Sequence, residues 1–190
     1  MILQMDKKDE NLIENYLGGD DLSLKLIIDK YTQLIYSYIS RLAGKDSAED
    51  LTQDVFIKVW KNLKNFDTKR ASFKTWIYNI ARNTTIDYLR KKKSISFSSL
   101  YEEDKDLVEN IPDDLTDQEN IFIKNEDVNF LKEAISLLPA HYKEILVLYY
   151  ENEMTFKEIG ELLDKPLNTV KSYHRRAIIK LKQELKGKNN

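Results

Sequence analysis

At 190 residues the chain has room for one large domain or two small ones, and its 42% hydrophobic and 33% charged residues fit a water-soluble protein with much solvated helix surface. Zero cysteines exclude a disulfide, a thiolate zinc site and a cysteine redox switch. The longest apolar run, "ILVLYY" at 145–150, falls far short of the roughly 18 residues a membrane span needs, and "MILQMDKKDENL" turns acidic before any apolar segment develops. Neither a secretory leader nor membrane insertion is therefore expected, and a reducing, cytoplasmic setting fits.

The net charge of -2 hides a strong segregation. Lys58 to Lys93 carries eleven cations against Asp67 and Asp87, and Lys165 to Lys188 carries eight against Glu184. Between them, residues 94–127 hold eleven acids against Lys105 and Lys124. Two basic blocks around an acidic middle suit a polyanion-binding protein with a self-screening connector.

Five glycines and three prolines punctuate the chain, and no alternating β-branched run appears, so an all-α fold is expected. In chain order, helices are predicted near 9–17, 21–43, 47–63 and 72–92, with breaks at Gly18-Gly19 and Gly44. Ser47 with Asp50 reads as a capping pair opening the third of these. In that helix Leu51, Val55, Phe56, Val59, Trp60 and Leu63 form a stripe broader than one neighbour usually buries, and Ile57 lies among Asp50, Gln53, Asp54 and Lys61 on the other side. Part of it is expected to face a partner.

The helix "KTWIYNIARNTTIDYLRKKK" follows the basic loop "NFDTKRA" at 65–71. Phe73, Ile77, Ile80, Ala81, Thr84 and Tyr88 share its inward side; Thr75, Asn79, Arg82, Asn83 and Arg90 share its outward side, with Trp76 and Tyr78 at the edges. Amides, hydroxyls and arginines bordered by rings suit single-stranded nucleic acid, where cations follow the backbone and rings stack on bases. The loop is placed to hold a base pulled out of the duplex.

The serine- and acid-rich stretch that follows divides the chain into a domain at 1–93, a connector at 94–120 and a second domain at 121–190. Near its end, "TFKEIGELLDKPLNTVKSYHRRAIIKLKQEL" reads as a helix-turn-helix, with Thr155 and Glu158 as a capping pair, a turn at Asp164-Lys165-Pro166 and a second helix from Leu167. Gly160 sits where close packing needs a small residue, and Asp164 where a left-handed conformation is common. Val170, His174, Ala177 and Leu181 form the second helix's inner stripe; Asn168, Lys171, Ser172 and Arg175 form the stripe a major groove would accept, with Arg176 and Lys180 placed for phosphate.

These segments, with "SAEDLTQDVFIKVWKNLKNFD" and "LPAHYKEILVLYYENEM", together resemble the extracytoplasmic-function (ECF) group of the sigma-70 family, the promoter-recognition subunits of bacterial RNA polymerase. The resemblance covers about 150 residues in the family's order and spacing. It implies two small helical domains, sigma-2-like and sigma-4-like. Asp50, Leu51, Gln53, Asp54, Phe56 and Trp60 would meet core polymerase, which offers its clamp helices and flap. Phe66, Lys69, Arg70, Thr75, Trp76, Asn79, Arg82 and Asn83 would open and read the -10 element as single strands. Thr169, Lys171, Ser172, Arg175, Arg176 and Lys180 would read the -35 duplex. The run Tyr173-His174-Arg175 departs from the family's commoner pattern. An anti-sigma factor is implied as a further partner; no cofactor, metal, small-molecule substrate or catalytic residue is. Roughly 16–18 base pairs separate such elements, about 55–60 Å at ~3.4 Å per step. A dimeric helix-turn-helix regulator acting without polymerase, and a carboxylate-dependent nuclease built on Asp50 and Asp54, are the alternatives.

Overall fold

A computed structural model of the chain describes residues 2–93 and 134–187. Helix α1, Ile2–Leu17, stops at Gly18-Gly19, where Gly19 takes φ 105°, a left-handed value that suits glycine. Asp20 then opens α2, Asp21–Ala43: its carboxylate accepts from the Leu22 N–H at 3.1 Å and from the Ser23 hydroxyl at 2.7 Å. Gly44, at φ 91°, is the single residue between α2 and α3, Lys45–Asn62. The expected cap at Ser47 is thereby corrected. Because Gly44 makes the turn by itself, the helix starts earlier, and Ser47 lies inside it, donating to the Ala43 carbonyl at 3.3 Å. A 3₁₀ turn, Leu63–Asn65, ends α3. The Ser72 hydroxyl accepts from the Thr75 N–H and so caps α4, Phe73–Lys93.

α2 runs through the middle of this bundle. Its Ile27, Tyr31, Ile35 and Ile39, four residues apart, line one stripe and meet Val55 and Val59 of α3 and Phe73, Ile77 and Ala81 of α4. α1 is pinned to it by the buried carboxylate of Asp9, which accepts from Lys30 Nζ and from the Tyr31 hydroxyl. Burying that charge is tolerable because both donors satisfy it.

In the second half, residues 134–137 are helical, and Pro139 leads into α5, Ala140–Leu146. A π turn, Val147–Glu151, widens the chain so that the backbone and side-chain N–H groups of Asn152 both reach the Val147 carbonyl. Then come α6, Phe156–Leu163, and α7, Leu167–Gly187. Ala134, Leu138, Tyr142 and Leu146 pack on Ala177 and Leu181 of α7 as a small core of their own. The described residues are helical with short turns and hold no strand, as the composition implied. The connector at 94–120 and the start of the second domain at 121 lie outside them.

The two halves do not stand apart. A continuous apolar core passes from Ile35, Ile39 and Ile77 to Ile145, Leu148, Met154 and Ile159. Within it Glu144, fully buried, accepts from the Tyr38 hydroxyl at 2.7 Å and from Arg82 Nε at 3.0 Å. The buried Tyr78 hydroxyl donates to Asn152 Oδ1, Arg41 pairs with Glu151 at 3.0 Å, and Lys74 Nζ reaches the Glu153 carbonyl at 3.2 Å.

Candidate nucleic-acid interface

The helix-turn-helix is built as its residues imply. Thr155 accepts from the Glu158 N–H and Glu158 reaches back to the Thr155 N–H, a complete capping box that fixes the start of α6. Asp164 closes α6 in the left-handed region, at φ 53° and ψ 49°. Gly160 leaves room for the turn itself, since a Cβ there would stand 2.9 Å from the Lys165 carbonyl oxygen. Val170, His174, Ala177 and Leu181 of α7 are all buried, and Asn168, Lys171 and Ser172 are exposed on the opposite side. Thr169, Arg175, Arg176 and Lys180 flank them half-buried, with Arg175 Nε shielded from solvent. His174 packs among the rings of Tyr149, Phe156 and Tyr150, with centroids 4.8, 5.0 and 5.6 Å away, a packed histidine as its place on the inner stripe required.

At the start of α4, Phe66 and Trp76 are half-buried and lean on each other at 5.2 Å and on Phe73 at 5.6 Å. The loop before it is ordered by Asp67, which accepts from the Lys69 N–H through its carboxylate and from the Arg70 N–H through its carbonyl. Lys69 and Arg70 stay exposed. On α4, Asn79 and Asn83 are exposed and joined by a 2.9 Å hydrogen bond. Two expected outward residues are not outward. Thr75 is buried with its hydroxyl 3.1 Å from Ser72 Oγ, and Arg82 turns to Glu144, leaving 18% of its side chain exposed. A helical projection has no knowledge of a second module, and α5 to α6 occupy the side of α4 that it leaves open. Tyr78, read as an edge residue, is fully buried there; burial pushes its phenol pKa well above the ordinary value, and the Glu151 charge acts in the same direction.

α3 divides its broad apolar stripe between two duties. Leu51, Val55, Val59 and Leu63 are core, so the expectation that Leu51 faces a partner is corrected, and Phe56 is half-buried. Asp50, Gln53 and Asp54 are exposed, together with Ile57 at 49% and Trp60 at 57%. The Trp60 indole N–H donates to the Tyr16 hydroxyl at 3.0 Å, which orients the exposed ring. Sequence reasoning missed Glu144 and Asn152 as the polar anchors between the halves. The signal for Glu144 was a lone carboxylate inside the apolar run "YKEILVLYY".

A helical bundle joined to a helix-turn-helix with a polar, partly cationic outer stripe defines a DNA-binding factor of two modules. Family comparison agrees with that architecture: the description "Sigma-70 region 2" matches residues 27–95, and "Sigma-70, region 4" matches residues 131–181. The chain is 34% identical over 178 residues to the ECF RNA polymerase sigma factor SigW of Bacillus subtilis, covering 92% of this chain and 95% of that one. It is 34% identical over 138 residues to ECF sigma factor RpoE of Cereibacter sphaeroides, 73% of this chain and 72% of that one, and 27% identical over 168 residues to sigma-E factor of Escherichia coli K12, at 86% and 87%. Its fold is similar to that of sigma factor RpoE in complex with the anti-sigma factor NepR from Bartonella quintana, with TM-score 0.63, 22% identity and coverage of 85% of this chain and 96% of that one. It is also similar to CnrH in complex with the cytosolic domain of CnrY, with TM-score 0.66, 17% identity and coverage of 95% and 98%. The chain belongs to the sigma-70 family, in its ECF group, and is an RNA polymerase sigma factor of transcription initiation.

Proposed function

We propose that the chain works as two modules, 1–93 and 121–190, joined by a connector at 94–120, which engage core RNA polymerase and a promoter at two places. The exposed face of α3, Asp50, Gln53, Asp54 and Trp60 with half-buried Phe56, docks on the polymerase clamp helices, and the C-terminal module meets the flap. An exposed tryptophan beside an isoleucine and two carboxylates is the composition of a binding hot spot, not of a solvated helix face. The exposed loop cations Lys69 and Arg70, the rings of Phe66 and Trp76, and the amides of Asn79 and Asn83 capture the -10 strand. α7 enters the major groove at -35 through Thr169, Lys171, Ser172 and Arg175, with Arg176 and Lys180 on phosphates.

The chain itself makes and breaks no covalent bond. Strand separation is driven by binding, because unstacked bases are offered only by the open form. The site of action is the cytoplasm, where polymerase and DNA are. An anti-sigma factor regulates it, a reading supported by the similar fold of sigma factor RpoE in complex with the anti-sigma factor NepR.

The observation that supports this reading is the pairing, in one chain and in family order, of an α3 with an exposed tryptophan and carboxylates and a helix-turn-helix whose α7 carries an exposed polar stripe. Titration with labelled core polymerase tests it. The chain binds, and Trp60→Ala weakens binding by about 2 kcal/mol, roughly thirtyfold, while shifting the unfolding free energy by less than about 1 kcal/mol. Equal binding by both chains would reject the α3 assignment.

A further inference from the structure

Trp60 stands out on α3 because 57% of it is exposed and yet its indole N–H is already bonded within the chain. The acceptor, the Tyr16 hydroxyl at 3.0 Å, belongs to α1 and lies 44 residues earlier. Tyr16 is half-buried, and its ring packs against the bundle core. Its position is set by the whole of α1. Ile13, one turn earlier, is buried, the Asp9 carboxylate ties the helix to Lys30 and Tyr31, and the Tyr16 carbonyl accepts from the Gly19 N–H at 2.9 Å where the helix ends. A well-anchored phenol thus meets an exposed indole.

An indole N–H is a donor only, and moving it from water into an interface without an acceptor costs free energy. A tryptophan that is to be buried against a partner therefore needs an acceptor from the partner or from its own chain. From this geometry we infer that Tyr16 is a positioning residue of the polymerase-docking face: its hydroxyl satisfies and orients the Trp60 indole, so that the ring enters an apolar socket that need offer it no hydrogen bond. The inference rests on the reading of α3 as the surface that meets core polymerase, and it defines the socket more closely than that reading does. Ile57, one turn before Trp60 and 49% exposed, extends the apolar contact, and the exposed carboxylates of Asp54 and Asp50 lie one and two turns before Ile57. The matching polymerase surface is an apolar pocket for Trp60 and Ile57, with basic groups on the side of Asp50 and Asp54. Because Tyr16 restrains the ring in advance, less rotamer freedom is lost on docking.

Titration of labelled core polymerase with four full-length chains tests this: the unmutated chain, Tyr16→Phe, Trp60→Phe and the two substitutions combined. Phenylalanine has no N–H and needs no acceptor, so the substitution at position 60 removes the reason for the hydroxyl while keeping a ring. Tyr16→Phe should weaken binding at least about fivefold, the loss expected of a buried donor left unsatisfied. In the Trp60→Phe background the same change should alter binding by less than about twofold, within ordinary additivity. Comparing the two backgrounds guards against a Tyr16→Phe chain in which α1 is loosened, because loosening acts on both alike. An equal loss in both would make Tyr16 a packing residue only and overturn the inference, as would undiminished binding by Tyr16→Phe where Trp60→Ala binds weakly. Undiminished binding by Trp60→Ala would overturn the α3 assignment itself, and this inference with it, so the two errors are told apart.

Discussion

Gly160 shows how little freedom the helix-turn-helix has at single positions. A methyl group placed there meets the Lys165 carbonyl oxygen at 2.9 Å, and because that oxygen belongs to the turn backbone it cannot swing aside as a side chain would. Gly160→Ala is expected to cost about 1–3 kcal/mol in thermal unfolding and to weaken binding to -35 duplex through the misplaced α7. Lys171 tests recognition without touching packing, being exposed on the outer stripe. Lys171→Ala is expected to lower discrimination at one -35 base pair by about 1–3 kcal/mol, read by competition binding with single-base variants; an equal loss on all sequences would place the amine on phosphate.

Among the elements, α4 is the one whose two sides have opposite duties. Its Asn79 and Asn83 side is exposed, whereas Tyr78 and Arg82 are covered by α5 to α6. Tyr78 gives this arrangement a pH signature. Its ordinary pKa is 10.0, and burial first, then the Glu151 charge, raises it in the folded chain. Above that ordinary value the unfolded chain releases a phenol proton that the folded chain retains, so stability falls as pH rises, by at most about 1.4 kcal/mol per pH unit from this group. Below it the contribution is flat. Urea unfolding of the unmutated chain and of Tyr78→Phe between about pH 9 and pH 11 should show a smaller alkaline loss in the variant, and parallel curves would contradict the burial. The inner stripes of α4 and α7 were legible in the sequence because each reports contact with a neighbouring core, to which helical periodicity responds. Arg82 was misplaced for the complementary reason. Arg82 is polar and on the open side of the projection, but its partner Glu144 comes from a segment 62 residues away, and no local pattern encodes that encounter. Ser47 looked like a cap because serine can be one, while Gly44 had already turned the chain.

For the molecule as a whole, the segregation of charge led to the expectation of two nucleic-acid surfaces, and the order of motifs announced the family. What neither could give is that the two modules share a core from Ile39 and Ile77 to Leu148 and Met154, sealed by a buried carboxylate. The charge blocks, the exposed α3 face and the helix-turn-helix are the parts of an RNA polymerase sigma factor of the ECF group. The most direct measurement is transcription of genomic DNA in vitro by core polymerase with and without the purified chain, with start sites mapped. The chain should create new starts preceded by two shared sequence elements about 16–18 base pairs apart, with Trp60→Ala depleting all of them together. Start sites unchanged by its addition would contradict the account.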